Sequence, residues 1–205
     1  MSIQGSPEWH LERLGLVTAS RVADVIARTK SGPAASRAAY MSTLVAEQLT
    51  GNSAESYTNA SMQWGTEHES EARRAYSLET DVTVEEIGFA RHPRLKSGAS
   101  PDGLVGDDGV LEIKCPNTHT HIGTLLAEKV PKKYITQMQW QMVCTERSWC
   151  DFVSYDPRLP LEMQLFIKRI ARDDDYISTL EDEVEKFIIE LDDTVSKLRD
   201  KFGKN

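Results

Sequence analysis

The sequence predicts an α+β fold, layered α/β/α, with a central mixed β-sheet flanked by helices. Three observations predict it. Apolar residues recur at helical spacing through residues 7–78. Strand-like alternation runs through most of residues 81–170, around one inserted helical stretch. An amphipathic helix over residues 174–201 closes the chain. At 205 residues the chain fits one domain, 1–205, assembled from those three parts.

Each element has a local justification. Residues 7–29 read as a broken helix in which Thr18-Ala19-Ser20 caps a segment carrying Val22, Val25 and Ile26. Lys30 to Arg37 form a small-residue loop with basic ends. A helix over residues 37–49 is stopped by Thr50-Gly51-Asn52, and residues 51–59 form a polar loop. The next helix, residues 61–78, carries Trp64, Glu69 and Ala72. Val82 and Val84 alternate with polar neighbours, and Ile87 to Ala90 continue that pattern. Residues 98–106 read as a second strand with Asp102 in its course. Asp107-Asp108-Gly109 is a hairpin turn, and Val110 to Lys114 form a third strand that Pro116 ends. A helix over residues 132–144 carries Tyr134, Gln137 and Gln141, and strands follow at 149–155 and 163–170. In the last helix Ile177, Leu180, Val184, Phe187, Leu191, Val195 and Leu198 make an apolar stripe with an acidic back, as expected of a helix packed on its own domain.

Composition narrows the function. The net charge of −8, from 24 basic and 32 acidic residues, argues against indiscriminate coating of nucleic acid, while leaving room for a local basic channel. No apolar run approaches the length of a membrane span, and the N-terminal residues lack a signal-peptide pattern. Three cysteines, Cys115, Cys144 and Cys150, form no disulfide pattern and fit a reducing compartment. The expected location is the cytoplasm.

Chemistry concentrates in Ser100-Pro101-Asp102-Gly103-Leu104 and Leu111-Glu112-Ile113-Lys114. Side chains alternate along a strand, so Glu112 and Lys114 share a face and Ile113 points into the core. Asp102 and Glu112 can then share a hard divalent cation, Mg2+ with Mn2+ able to substitute. Lys114 beside them either helps position or deprotonate an attacking water, or neutralises charge growing on a phosphate. Taken singly these residues could be a turn aspartate and a surface ion pair; their order and spacing favour a nuclease metal site. Cys115, His119 and His121 lack a fourth ligand at zinc spacing, so a zinc reading is set aside. Trp140 and Trp149 read as core.

Further segments join this pair in a recognisable order: Trp9-His10, Arg13-Leu14-Gly15 and Thr18-Ala19-Ser20, then Trp64-Gly65 and Glu69, then Cys115-Pro116, then Tyr134, Gln137 and Gln139, then Tyr155-Asp156-Pro157-Arg158. With them, roughly residues 7–200 resemble the phage-type recombination exonucleases of the lambda exonuclease kind, within the restriction-endonuclease-like nucleases.

The resemblance implies a restriction-endonuclease-like core. It implies a processive 5′-to-3′ exonuclease on double-stranded DNA ends, preferably 5′-phosphorylated. The enzyme would release 5′ mononucleotides and leave a 3′ single-stranded overhang. It also implies a ring-shaped homotrimer, a single-strand annealing protein as partner, and a phage or prophage origin in a bacterial host. Catalytic candidates become Asp102, Glu112, Lys114, Glu69 and Gln137. Metal ligands become Asp102, Glu112, the Ile113 carbonyl and Glu69, around two Mg2+ ions. Arg13 and Ser20 would grip the 5′-phosphate, and Lys30 aligns with a wedge position where the family has arginine. Tyr134, three residues before Gln137 and on the same helix face, is a DNA-contact candidate or a core residue with a wet hydroxyl. Two alternatives share these residues: an endonuclease or junction resolvase, and a non-catalytic DNA-end binder.

Overall fold

The computed structural model describes residues 2–53 and 60–203. The N-terminal segment holds α1 (Pro7–Arg13), β1 (Val17–Thr18), a 3-10 turn (Ala19–Arg21), α2 (Val22–Val25) and a small hairpin of β2 (Arg28–Thr29) and β3 (Gly32–Pro33). Two long helices follow, α3 (Ala35–Thr50) and α4 (Ala60–Thr80). Then come β4 (Val84–Glu85), β5 (Ala90–Arg91), β6 (Ser97–Ala99), β7 (Gly103–Val105) and β8 (Gly109–Lys114). The chain ends with α5 (Thr118–Ala127), α6 (Lys132–Thr145), β9 (Trp149–Tyr155), β10 (Leu165–Ala171) and α7 (Asp174–Phe202).

The main sheet has five strands in the order β10-β9-β8-β7-β4. It is mixed: β8 and β9 run parallel, and the other neighbours antiparallel. A three-stranded sheet, β1-β6-β5, lies beside it. Strand alternation explains the layering. Leu111, Ile113, Val153 and Tyr155 face Ala72 and Tyr76 of α4. Val110, Cys150 and Phe152, on the opposite face, meet Met138 and Met142 of α6. The outer side of α6, with Trp140 and Val143, joins α2, α3 and the buried stripe of α7 in the largest core. The stripe read from the sequence thus packs on the chain's own body, with Leu198 half-buried at its end.

Three local readings need correction. Residues 98–106 are two strands in different sheets, not one: β6 pairs with β1 and β5, β7 pairs with β8, and Asp102 sits in the bend between them. Pro101 offers no N–H to a ladder, which explains the break. Part of the loop at 30–37 is the β2–β3 hairpin, with Lys30 exposed at its tip and α3 already begun at Ala35. Helix α5 was not foreseen from its Thr- and His-rich sequence. The Asn117 side chain caps it by accepting from the Thr120 N–H at 2.9 Å, and buried His121 anchors it to Ser154 Oγ and the Met163 carbonyl. Residues 54–59 of the expected polar loop lie outside the described residues.

One polar anchor lies in the sheet interior. Asp151 on β9 is buried, accepts from the Tyr76 hydroxyl at 2.7 Å and receives two bonds from Arg169 at 2.8 and 2.9 Å. It ties α4 and β10 to β9. Tyr76→Phe removes one donor from a carboxylate that water cannot reach. It should lower stability by about 1–2 kcal/mol in urea melts with an unchanged m value.

Candidate active site

Register creates the site. Gly103 of β7 pairs with Leu111, so β7 begins where β8 still has three residues to run, Glu112 to Lys114. Close packing holds β7 there: a Cβ on Gly103 would lie 2.2 Å from Val84 Cγ1 on the neighbouring strand. Asp102 takes over at the uncovered edge. Its N–H donates to the Leu111 carbonyl at 3.1 Å, and its Oδ2 accepts from the Ile113 N–H at 2.6 Å. An extended residue presents its N–H and C=O to the same side, so the Ile113 carbonyl faces this edge too.

The edge opens into a cleft of about 570 Å3 lined by Glu69, Asp102, Ile113, Lys114, Lys133 and Tyr134 among others. Helix α4 supplies Glu69 and α6 supplies Lys133 and Tyr134. Glu112 lies behind, fully buried on the α6 face of β8. Gln137 Nε2 donates to its Oε1 at 2.6 Å, Gln141 Nε2 donates to its Oε2, and Lys114 Nζ pairs with its Oε1. The Lys114 ammonium also lies 5.4 Å from the Tyr134 ring centroid.

Electrostatics follow from this crowding. Burial raises the Asp102 carboxyl well above its ordinary value, and the nearby Glu112 adds to the rise against the pull of Lys114. Burial raises Glu69 as well, opposed by Arg73 and Lys114. Burial disfavours the charge on Lys114, but Glu112 and Asp102 outweigh it and the amine is held above its usual range. Cys115, at the end of β8, is pushed up to about 12 by burial and the neighbouring carboxylates, which makes it an inert thiol.

The sequence-derived candidates fall into groups. Asp102, Ile113, Lys114, Glu69 and Tyr134 line the cleft, and Glu112 and Gln137 adjoin it. Glu69 is engaged by Arg73 at 2.6 Å, and no three His, Cys, Asp or Glu side chains form a ready-made metal cage among the described residues. Arg13, Ser20 and Lys30 do not line the cleft. Arg13 stacks 3.7 Å above the Trp9 ring, rather than pairing with Glu8 or Glu12. The Trp9 indole N–H donates to Ser100 Oγ at 2.9 Å, two residues before Asp102. Ser20 is exposed on the 3-10 turn, its hydroxyl 3.5 Å from that of Thr18. His68 stacks on Trp64, and the Arg158 guanidinium lies 4.2 Å from the Trp64 ring centroid.

Two residues were given no role at the site by the sequence reading. Arg73 donates to the Asp102 carbonyl at 3.1 Å and pairs with Glu69 and Glu86, fastening α4 to the Asp102 bend. Gln141 completes the grip on Glu112. Both stand four residues after a candidate on the same helix, Arg73 after Glu69 and Gln141 after Gln137. That i,i+4 relation was the available signal.

Comparison with known proteins agrees with this architecture. Residues 8–148 match the YqaJ-like viral recombinase domain. The chain is 53% identical to LHK-Exo, an alkaline exonuclease from Laribacter hongkongensis, over 96% of this chain and 97% of that one. The TM-score is 0.89, and 0.90 against its complex with dAMP. A phage-related exonuclease from Haemophilus somnus 129PT shares the fold at 17% identity, with a TM-score of 0.74 over 89% of this chain and 96% of that one. ExoD, an uncharacterised protein of Escherichia coli K12, is 27% identical over 77 residues, covering 38% of this chain and 87% of its own. The chain belongs to the YqaJ-like viral recombinase family, the lambda-exonuclease type of alkaline exonuclease, and carries its restriction-endonuclease-like nuclease fold.

Proposed function

We propose that this protein is a metal-dependent, processive exonuclease. It degrades double-stranded DNA from 5′-phosphorylated ends in the 5′-to-3′ direction, releasing 5′ mononucleotides and leaving a 3′ overhang for single-strand annealing. The observation that carries this reading is the gathering of Asp102, the Ile113 carbonyl and Lys114 at the edge β7 leaves uncovered, with buried Glu112 paired to Lys114 directly behind. A ring-shaped homotrimer and an annealing partner belong to the same proposal. The net charge of −8 supports the ring, since enclosure can retain DNA where bulk attraction is weak.

The donor set fits a hard divalent cation, Mg2+ or Mn2+: two carboxylates and a backbone carbonyl, all oxygen, with Glu69 across the cleft. Asp102 and Glu112 repel one another in a buried setting, a cost that a cation held by these residues would offset. Bound there, the metal would supply an activated water and neutralise charge on the phosphate. The remaining work falls to the chain itself. Lys114, inside the cleft, orients the water and donates to the phosphate oxygen that gains charge. Gln137 holds Glu112 Oε1 from α6, on the oxygen that also meets Lys114. Tyr134 walls the cleft and flanks the substrate strand. Arg13 and Ser20 take the terminal phosphate, and Lys30 reaches the duplex end from its hairpin. The Arg13–Trp9–Ser100 chain of contacts supports a fixed spacing between the gripped end and Asp102.

Three measurements test the reading. A linear duplex labelled at either end, with and without 5′-phosphate, should lose label first from phosphorylated 5′ ends in Mg2+ and not in chelator. Cleavage of closed circles, or loss from 3′ ends, would sink it. Lys114→Ala should lower kcat by about 10²–10³-fold while duplex-end binding changes little. The third concerns Asp102. Its folded pKa is raised, so its contribution to stability is complete below about pH 4 and is lost as pH rises through the elevated folded value. In metal-free protein at pH 8, Asp102→Asn should therefore be more stable than wild type by about 1–2 kcal/mol. That gap should close in acid, and Mg2+ should raise the Tm of wild type alone.

A further inference from the structure

We infer that Gln141 is a positioning residue: its buried amide fixes the second oxygen of the Glu112 carboxylate and so sets the direction in which that carboxylate meets a divalent cation. The inference rests on the metal-site reading above and deepens it.

Glu112 has two oxygens with unequal support. Oε1 receives Gln137 Nε2 and the Lys114 ammonium, whereas Oε2 receives Gln141 Nε2 and no other donor among the described residues. The Glu112 side chain is 1% exposed, so bulk water cannot replace a missing donor. With Gln137 alone, the carboxylate could turn about its last torsion. With donors from successive turns of α6 on each oxygen, its plane is held at two points.

Packing alone does not account for glutamine at this position. The inner side of α6 is otherwise apolar here, with Met138 and Met142 in the core against Val110 and Phe152. A methionine at 141 would fill similar space. Gln141 is instead wholly buried and leaves its Oε1 without a hydrogen-bond partner, a cost of about 1–3 kcal/mol that a packing residue would not incur. The type of donor matters too. An arginine there would neutralise Glu112 and weaken its hold on a cation, while an amide orients the carboxylate and leaves its charge in place.

The test is titration of the full-length chain with Mn2+ by calorimetry, in wild type, Glu112→Gln and Gln141→Met, with thermal melts alongside. Gln141→Met should raise the Kd for Mn2+ by about 10–100-fold, with a metal-free Tm at or below that of wild type, because Glu112 Oε2 loses its donor. A Kd within twofold of wild type, beside a weakened Glu112→Gln, overturns the role of Gln141 alone. Mn2+ binding by Glu112→Gln indistinguishable from wild type overturns the metal reading and the inference with it. Should the methionine variant fail to fold, Gln141→Thr, whose hydroxyl is too short to reach Glu112, is judged by the same criterion.

Discussion

The structure around the cleft depends on one constraint: a carboxylate must stay charged inside an apolar sheet. Glu112 sits mid-strand between Leu111 and Ile113, both buried. Left alone, a charge there would be untenable. The fold meets this with three donors, one of them the Lys114 ammonium, which itself looks into the cleft. Helix α6 must therefore cross β8 at this register, with Gln137 and Gln141 above Glu112 and Met138 and Met142 above the neighbouring apolar residues. Sequence, packing and electrostatics impose the same placement.

A second consequence concerns the opposite face. Because Leu111 and Ile113 point toward α4, that helix packs on the far side and presents Glu69 at the cleft from there. Arg73 reconciles the two sides. It bonds the Asp102 carbonyl, Glu69 and Glu86 at once, so the Asp102 bend is fixed to α4 as well as to β8. The Asp102 carboxylate is then held by the Ile113 N–H while the guanidinium of Arg73 holds the Asp102 backbone carbonyl, which suits a ligand whose direction matters more than its mobility.

Much of this was legible in the sequence because strand alternation is a strict rule. The shared face of Glu112 and Lys114, the inward turn of Ile113, the Asp-Gly hairpin and the stripe of α7 all follow from period and turn chemistry. Asp102 was placed in a continuous strand because residues 98–106 look extended throughout. What the pattern lacks is the partner of each half, and β6 and β7 belong to different sheets. Helix α5 was missed for a similar reason: its stability comes from the Asn117 cap and the His121–Ser154 contact, not from hydrophobic period. The zinc reading of Cys115, His119 and His121 fails on the same contact, since His121 is committed to Ser154 and the Met163 carbonyl. Arg13, Ser20 and Lys30 came only from family likeness, and the structure relates Arg13 to the site through Trp9 and Ser100.

The acidic total reconciles with a DNA substrate once charge is located rather than summed. Much of the negative charge lies on α7, where it is partly neutralised by cations from elsewhere: Arg28 with Glu183, Arg37 with Glu190, Lys96 with Asp192 and Arg94 with Glu181. Those ion pairs are surface or half-buried and contribute little stability each, but they remove cations from competition for a phosphate. Lys129, Lys132 and Lys133 behave differently. They cluster at the start of α6, form no ion pair among the described residues, and Lys133 lines the cleft beside Lys114. The unpaired positive charge of this stretch therefore lies where the carboxylate floor is reached. A phosphate backbone that enters the cleft meets Lys133 and Lys114 at short range, and screening by salt weakens such close contacts less than it weakens the effect of net charge.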